Sequence, residues 1–258
     1  MRHFTPAAIF LMAVAPLGLN AATFEWTGAI QPEQSIEIRN INGDIRAEPA
    51  TGPDVEISVQ ITGTHPDPDS IYIDVVPHAG GILFCTIYRG LSRPEYCTPD
   101  KSPSVSLQNS DIKVSYIIHV PAHVNLIART VNGAITADLP DSRVSLHTVN
   151  GRVVLSTNRP ADVNVVNGTV LATLGAIDWA DSHEINTVNG AIDLRLPEND
   201  PVTIRAAVAV GPIITEFPLM VHRTIVGSWL YDSLNGGGPL LFLNTVNGSI
   251  HLRRPAAQ

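Results

Sequence analysis

Carboxylates and imidazoles are the side chains of this sequence best suited to chemistry, and their spacing decides which of them can cooperate. His183-Glu184 opens like the His-Glu-x-x-His helix of zinc proteases, but Thr187 stands where the second imidazole belongs and the segment reads as a strand. His119 and His123 have the spacing of helical metal ligands. Pro121 lies between them, however, and the alternating run Val114 to Val120 precedes it, which places both on extended chain, too far apart to chelate one ion. Asp178, Asp181 and Glu184 in one segment, and Asp193, Glu198 and Asp200 in the next, are candidates to face one another as general acid and base, the arrangement that cleaves glycosidic bonds. Asp67 and Asp69 could offer oxygens to Ca²⁺, but Pro68 separates them and no further acids follow at calcium-loop spacing. No nucleophile elbow, zinc motif or nucleotide loop is present. The expectation is a chain with no catalytic, cofactor or metal site, with a carbohydrate-active hydrolase or lyase as the alternative that the acids keep open.

The elements that must position these residues are set by composition. The 258 residues are 44% hydrophobic and only 16% charged, which excludes wholesale disorder and predicts a packed core. Gly and Pro are plentiful, at 19 and 20 residues, and Lys occurs only at Lys101 and Lys113, a balance that favours turn-rich β structure over long surface helices. A net charge of -8 without any basic stripe argues against nucleic acid as a partner.

Met1, Arg2 and His3 form a short basic start, Ala7 to Leu19 an apolar run, and Asn20, Ala21 and Ala22 offer small residues for cleavage, so residues 1–21 are expected to be a Sec-type signal peptide. The run is shorter than a bilayer-spanning helix and contains Pro16 and Gly18, so no transmembrane segment is expected after its removal. Export to the periplasm or cell surface places Cys85 and Cys97 in an oxidising compartment. There a lone pair this close in sequence makes a local disulfide, worth about 2–4 kcal/mol in the loop-entropy picture.

Internal repetition is the strongest pattern. An Asn-Gly pair preceded by Val or Ile occurs six times: Asn42-Gly43, Asn132-Gly133, Asn150-Gly151, Asn167-Gly168, Asn189-Gly190 and Asn247-Gly248. A degenerate copy at Ala209-Val210-Gly211-Pro212-Ile213 has Val210 where Asn is expected. The fourth residue before each Asn and the third and fifth after it are apolar in every full copy, so alternation runs on both sides and shifts phase at the pair. That pattern predicts strand, sharp turn, strand, with Asn and Gly suited to a corner at positive φ. If Asn-Gly is a two-residue hairpin turn, the copies form an antiparallel meander or sandwich with Leu146 opposite Leu155. If it is one corner of a β-solenoid, each copy is a coil and equivalent residues stack. The near-identity of the copies favours stacking, and Gly248, near the C-terminus, is then expected to have fewer neighbours than Gly168.

Thr-Val-Asn-Gly-x-Ile, the opening Phe24-Glu25-Trp26 leading to Ile36-Glu37-Ile38-Arg39-Asn40-Ile41-Asn42-Gly43, and Thr215-Glu216-Phe217-Pro218-Leu219 together resemble the bacterial DUF4097 family over nearly the whole mature chain. That family is provisionally labelled adhesin, and the resemblance implies an extracytoplasmic β-solenoid with no catalytic residues to carry over. Residues 22–258 are thus expected to form a single all-β solenoid domain, with a loop-rich, disulfide-containing insertion at about 62–110. The expected function is a non-catalytic binding or structural module of the cell envelope, whose partner is an envelope protein or a glycan.

Overall fold

The computed structural model describes residues 21–63, 71–88, 97–98 and 111–255, and every regular element among them is a strand. Residues 1–20 of the expected signal peptide, 1–21, lie outside these residues, as do Asp67 and Asp69, while Ala21 begins the first strand. No helix of the described residues is long and apolar enough to cross a membrane.

Two sheets, an 11-stranded front sheet and a 10-stranded back sheet, enclose one core. Each repeat copy contributes one strand to each sheet and crosses between them at Asn-Gly. Val144–Asn150, for example, lies in the front sheet and Val153–Thr157 in the back sheet. Equivalent strands run parallel and in register: Leu146 pairs with Ala128 on one side and Val163 on the other, and Leu155 with Ala137 and Ala172. Leu146 and Leu155 are therefore in different sheets, which rules out the hairpin meander. A hairpin turn would reverse the chain within one sheet, whereas this corner hands it from one sheet to the other. The architecture is a repeat-built β-solenoid.

The apolar positions of the repeat become rows that run along the interior. Ile38, Ala128, Leu146, Val163, Ile185 and Leu243 from the front sheet, and Ile45, Ile135, Val153, Val170, Ile192 and Ile250 from the back sheet, are essentially inaccessible. Burying each of the larger aliphatic side chains stabilises the fold by about 1.5–3 kcal/mol, and repetition multiplies that term.

The order of coils departs from the order of the sequence at both ends. From Asn132 to Asn189 successive copies stack successively, but the next level is filled by the C-terminal strands Leu240–Asn247 and Ile250–Arg253. The degenerate coil, Val202–Val210 and Ile213–Thr215, lies outside them, with Val210 beside Asn247. Gly248 is consequently interior, contrary to its expected place near an end. At the other end, the coil of Asn42 sits between that of Asn132 and a coil made by Gly81–Tyr88 and Lys113–Val120, which has no Asn-Gly. Antiparallel strands close both ends: Ala21–Gly28, Val55–Thr62 and Ile71–His78 at one, Ser228–Leu234 and His222–Arg223 at the other. Such terminal strands protect the open edges that a stack of parallel coils would otherwise leave. Within the stretch 62–110, residues 71–88 are thus strands of the front sheet.

The corner chemistry also differs from expectation. Among the described Asn-Gly pairs, only Gly43 has a left-handed φ, 129°, and no Asn of the repeat has one. Glycine is required for close approach instead. A β-carbon at Gly151, Gly168, Gly190 or Gly248 would lie 1.9 Å from the carbonyl oxygen of the glycine one coil below. Asparagine contributes its side-chain amide, which bonds from coil to coil.

Candidate binding surface

Alternation in the front-sheet strands sends every second side chain outward. In Ala161–Asn167, Val163 and Val165 point into the core while Asp162, Asn164 and Val166 face solvent. In-register stacking turns these outward positions into rows across the sheet. One row is Val131, Val149, Val166, Val188 and Val246, each between 37 and 46% exposed. Beside it run Asn164, Asn186 and Asn244, linked by Nδ2 of Asn186 donating to Oδ1 of Asn164 at 3.1 Å and Nδ2 of Asn244 to Oδ1 of Asn186 at 2.9 Å. The corner asparagines make a longer ladder of the same kind, from Asn247 through Asn189, Asn167 and Asn150 to Asn132, with distances of 2.8–2.9 Å.

Inside the corner, Thr148, Thr187 and Thr245 each donate a hydroxyl hydrogen bond of 3.0 Å to the glycine carbonyl of the coil below. These hydroxyls satisfy acceptors that the sheet ladder leaves open at the bend. Neither the threonine role nor the Asn164 row was read from the sequence, although both recur at fixed distances before Asn-Gly.

The outward rows form the floor of an open groove of about 840 Å³, bounded at one end by Trp229 of a terminal strand and by Thr224 and Gly227 of the turn before it. At the opposite end the same face is covered. Cys85 and Cys97 form the expected disulfide, with Cα atoms 6.3 Å apart, and with Leu83 and Ile87 they make a small second core on the outside of the sheet. Under this cover Arg39 pairs with Glu37 at 2.8 Å and donates to the carbonyl of Thr98 at 2.7 Å.

The residues with chemical potential are dispersed by the fold. Glu184 lies on the outer face of the front sheet, where it accepts from Asn164, while Asp193 is in the back sheet, paired with Arg253 at 2.7 Å. The core separates the two carboxylates read as facing acid and base. Glu198 pairs with Arg254 at 3.3 Å, Asp200 accepts from the backbone NH of Ile177, and Asp178 and Asp181 are exposed. His183 is buried and shares its Nδ1 with both carboxylate oxygens of Asp162, each at 3.1 Å. Burial alone would raise the Asp162 carboxyl, but hydrogen bonds from His183 and the amide of Glu184 outweigh it and hold Asp162 below the usual carboxylate range. His119 points at Glu56 and Glu48, and His123 occupies a turn at φ 66°.

Ser145 and His147 do meet, Oγ to Nε2 at 3.1 Å, on the outer face. Burial, followed by the charge of Arg129, lowers the His147 pKa. Of the carboxylates near His147, Asp162 is engaged by His183 and Glu184 accepts from Asn164, so among the described residues no orienting acid completes a triad.

No protein-family model matches the chain, and no curated protein matches it. Solved structures do. A protein from Clostridium sporogenes provisionally named for cell adhesion superposes with a TM-score of 0.53 at 13% identity, covering 90% of this chain and 100% of its own. The likeness shows the fold. A provisionally named adhesin from Bacteroides fragilis reaches 0.33 at 12% identity, over 90% of this chain and 97% of its own. A provisionally named lipid-binding protein from Parabacteroides distasonis reaches 0.31 at 13%, over 91% and 97%.

Proposed function

We propose that the chain is an exported, non-catalytic, adhesin-like module of the bacterial cell envelope, a distant relative of the DUF4097 proteins, that binds an envelope component through the outer face of its front sheet. The observation that carries this is the continuous valine row beside the Asn164, Asn186 and Asn244 amides. Repeated apolar side chains left in water along a rigid sheet, next to unsaturated amide groups, form a surface whose free energy falls when a partner covers it. The provisional adhesion name of the Clostridium sporogenes protein agrees with a binding role. The signal-like N-terminus and the Cys85–Cys97 disulfide agree with an oxidising location outside the cytoplasm.

The test is retention of the purified chain on fractionated cell envelope, with Val166→Asp and Val188→Asp as variants. These positions are outward, so charge there leaves the core intact. The proposal expects retention of the natural chain and loss in both variants. No retention of the natural chain, or equal retention of all three, overturns it.

A further inference from the structure

The amide row of the front sheet stops one coil short of the end. Beyond Asn244 the register places Ala207, then Trp229, then His222 on successive strands at the same level. Asn186 and Asn244 each donate to the asparagine of the coil before, so the Oδ1 of Asn244 points toward the Ala207 level. Alanine has no amide there, and among the described residues that oxygen accepts no hydrogen bond.

Trp229 forms the far wall of the resulting slot. His222 stacks on one face of the indole, with ring centroids 4.0 Å apart and planes 12° from parallel. Because His222 and Trp229 are paired across adjacent strands, a stack this close directs the ring normal along the line of the row. The second indole face therefore looks toward Ala207 and Asn244, and the alanine methyl is too short to cover it. Trp229 remains 46% exposed and lines the groove together with Ala207 and Asn244. The register sets Tyr231, Arg205 and Phe242 on one side of the slot, with the Arg205 guanidinium 6.0 Å from the Phe242 ring centroid, and Ala209 and Val246 on the other. Two strand spacings separate the Asn244 and Trp229 backbones, roughly 9.5 Å, which leaves room for one saturated ring stacked on the indole with a hydroxyl reaching Asn244.

We propose that this slot, floored by Ala207 and walled by Trp229 and Asn244, binds one pyranose ring of a glycan. The inference rests on the outer face being the binding surface and names the chemistry of its ligand. A pyranose has a C–H face that packs on an aromatic ring and a rim of hydroxyls that both donate and accept. The site supplies the matching groups: the indole face, an open carbonyl oxygen on Asn244 and its remaining N–H. A purely apolar ligand would leave Asn244 without a donor.

The full exported chain is titrated with the methyl glycosides of glucose, galactose and mannose and with N-acetylglucosamine, followed by saturation-transfer NMR. At least one is expected to bind with millimolar affinity. Trp229→Ala is expected to weaken it at least tenfold. Ala207→Asn completes the amide row and fills the slot, so it is expected to weaken binding at least tenfold while keeping or raising the unfolding midpoint. Val154→Ser, on the outer face of the back sheet, leaves affinity unchanged. Binding of none of these sugars, or binding that persists in both slot variants, overturns the proposal. If the natural chain is retained on cell envelope but binds none of these sugars, the slot inference fails alone. If the natural chain is not retained, the functional reading fails whatever the sugars do.

Discussion

The α-carbon of Gly168 packs so closely against the carbonyl of Gly151 that a β-carbon would stand 1.9 Å from its oxygen, and Gly248 stands in the same relation to Gly190. Both oxygens belong to backbone in the adjoining coil, which can retreat only by separating the stack. Gly168→Ala and Gly248→Ala are therefore expected to destabilise by similar amounts, about 3 kcal/mol or more. Urea unfolding midpoints would show it, and a mild effect at Gly248 alone would mean that its coil is terminal.

Val165 occupies the level at which Thr148 and Thr187 donate to glycine carbonyls. Val165→Thr supplies the missing hydroxyl to the carbonyl of Gly151 and is expected to stabilise by about 0.5–1 kcal/mol, while Thr187→Val costs about 1 kcal/mol. Opposite signs in the two unfolding curves are the expected result.

Asp162 and His183 make stability depend on pH in a defined direction. Because the Asp162 carboxyl is held below its unfolded value, the stabilisation it provides is present above the unfolded pKa of about 3.9 and is lost as pH falls through the folded one. Asp162→Asn should lower stability near neutrality and flatten the acid side of a stability–pH profile below about pH 4. An unchanged acid limb would mean that the pair with His183 contributes nothing.

The Cys85–Cys97 bridge holds a cover over Leu83, Ile87 and the Glu37–Arg39 pair. Replacing both cysteines by serine is expected to cost about 2–4 kcal/mol and to speed hydrogen exchange in Ser35–Arg39 and Gly81–Tyr88, with the coils of Asn167 and Asn189 unaffected.

Much of this architecture was legible because a stacked coil writes its geometry into the sequence as a repeat. Ile38, Leu146 and Ile185 announced one interior row, and Ile45, Val153 and Ile192 the other. The dispersal of Glu184 and Asp193 follows from the same pattern: one precedes Asn-Gly and the other follows it, so the corner sends them to opposite sheets. The coil order was hidden because adjacency in the chain is normally adjacency in space. Side-chain matching explains the exception. Asn244, Thr245 and Asn247 continue the bonds of Asn186, Thr187 and Asn189, whereas Ala207, Val208 and Val210 cannot. The slot at Trp229 was illegible for a related reason, since Ala207, Trp229 and Asn244 are neighbours only because the last repeat inserts before the degenerate one.

That insertion builds the groove and its closed end, and double-cysteine crosslinking tests it most directly. Corner residues are exposed and stand one strand spacing from their neighbours in the stack, so oxidation should join Asn189→Cys to Asn247→Cys, and Asn247→Cys to Val210→Cys, as read by peptide mass spectrometry. Asn189→Cys and Val210→Cys, two levels apart, should remain unlinked. Efficient crosslinking of that last pair, with none between Asn189→Cys and Asn247→Cys, would mean that the coils follow sequence order and would contradict the account.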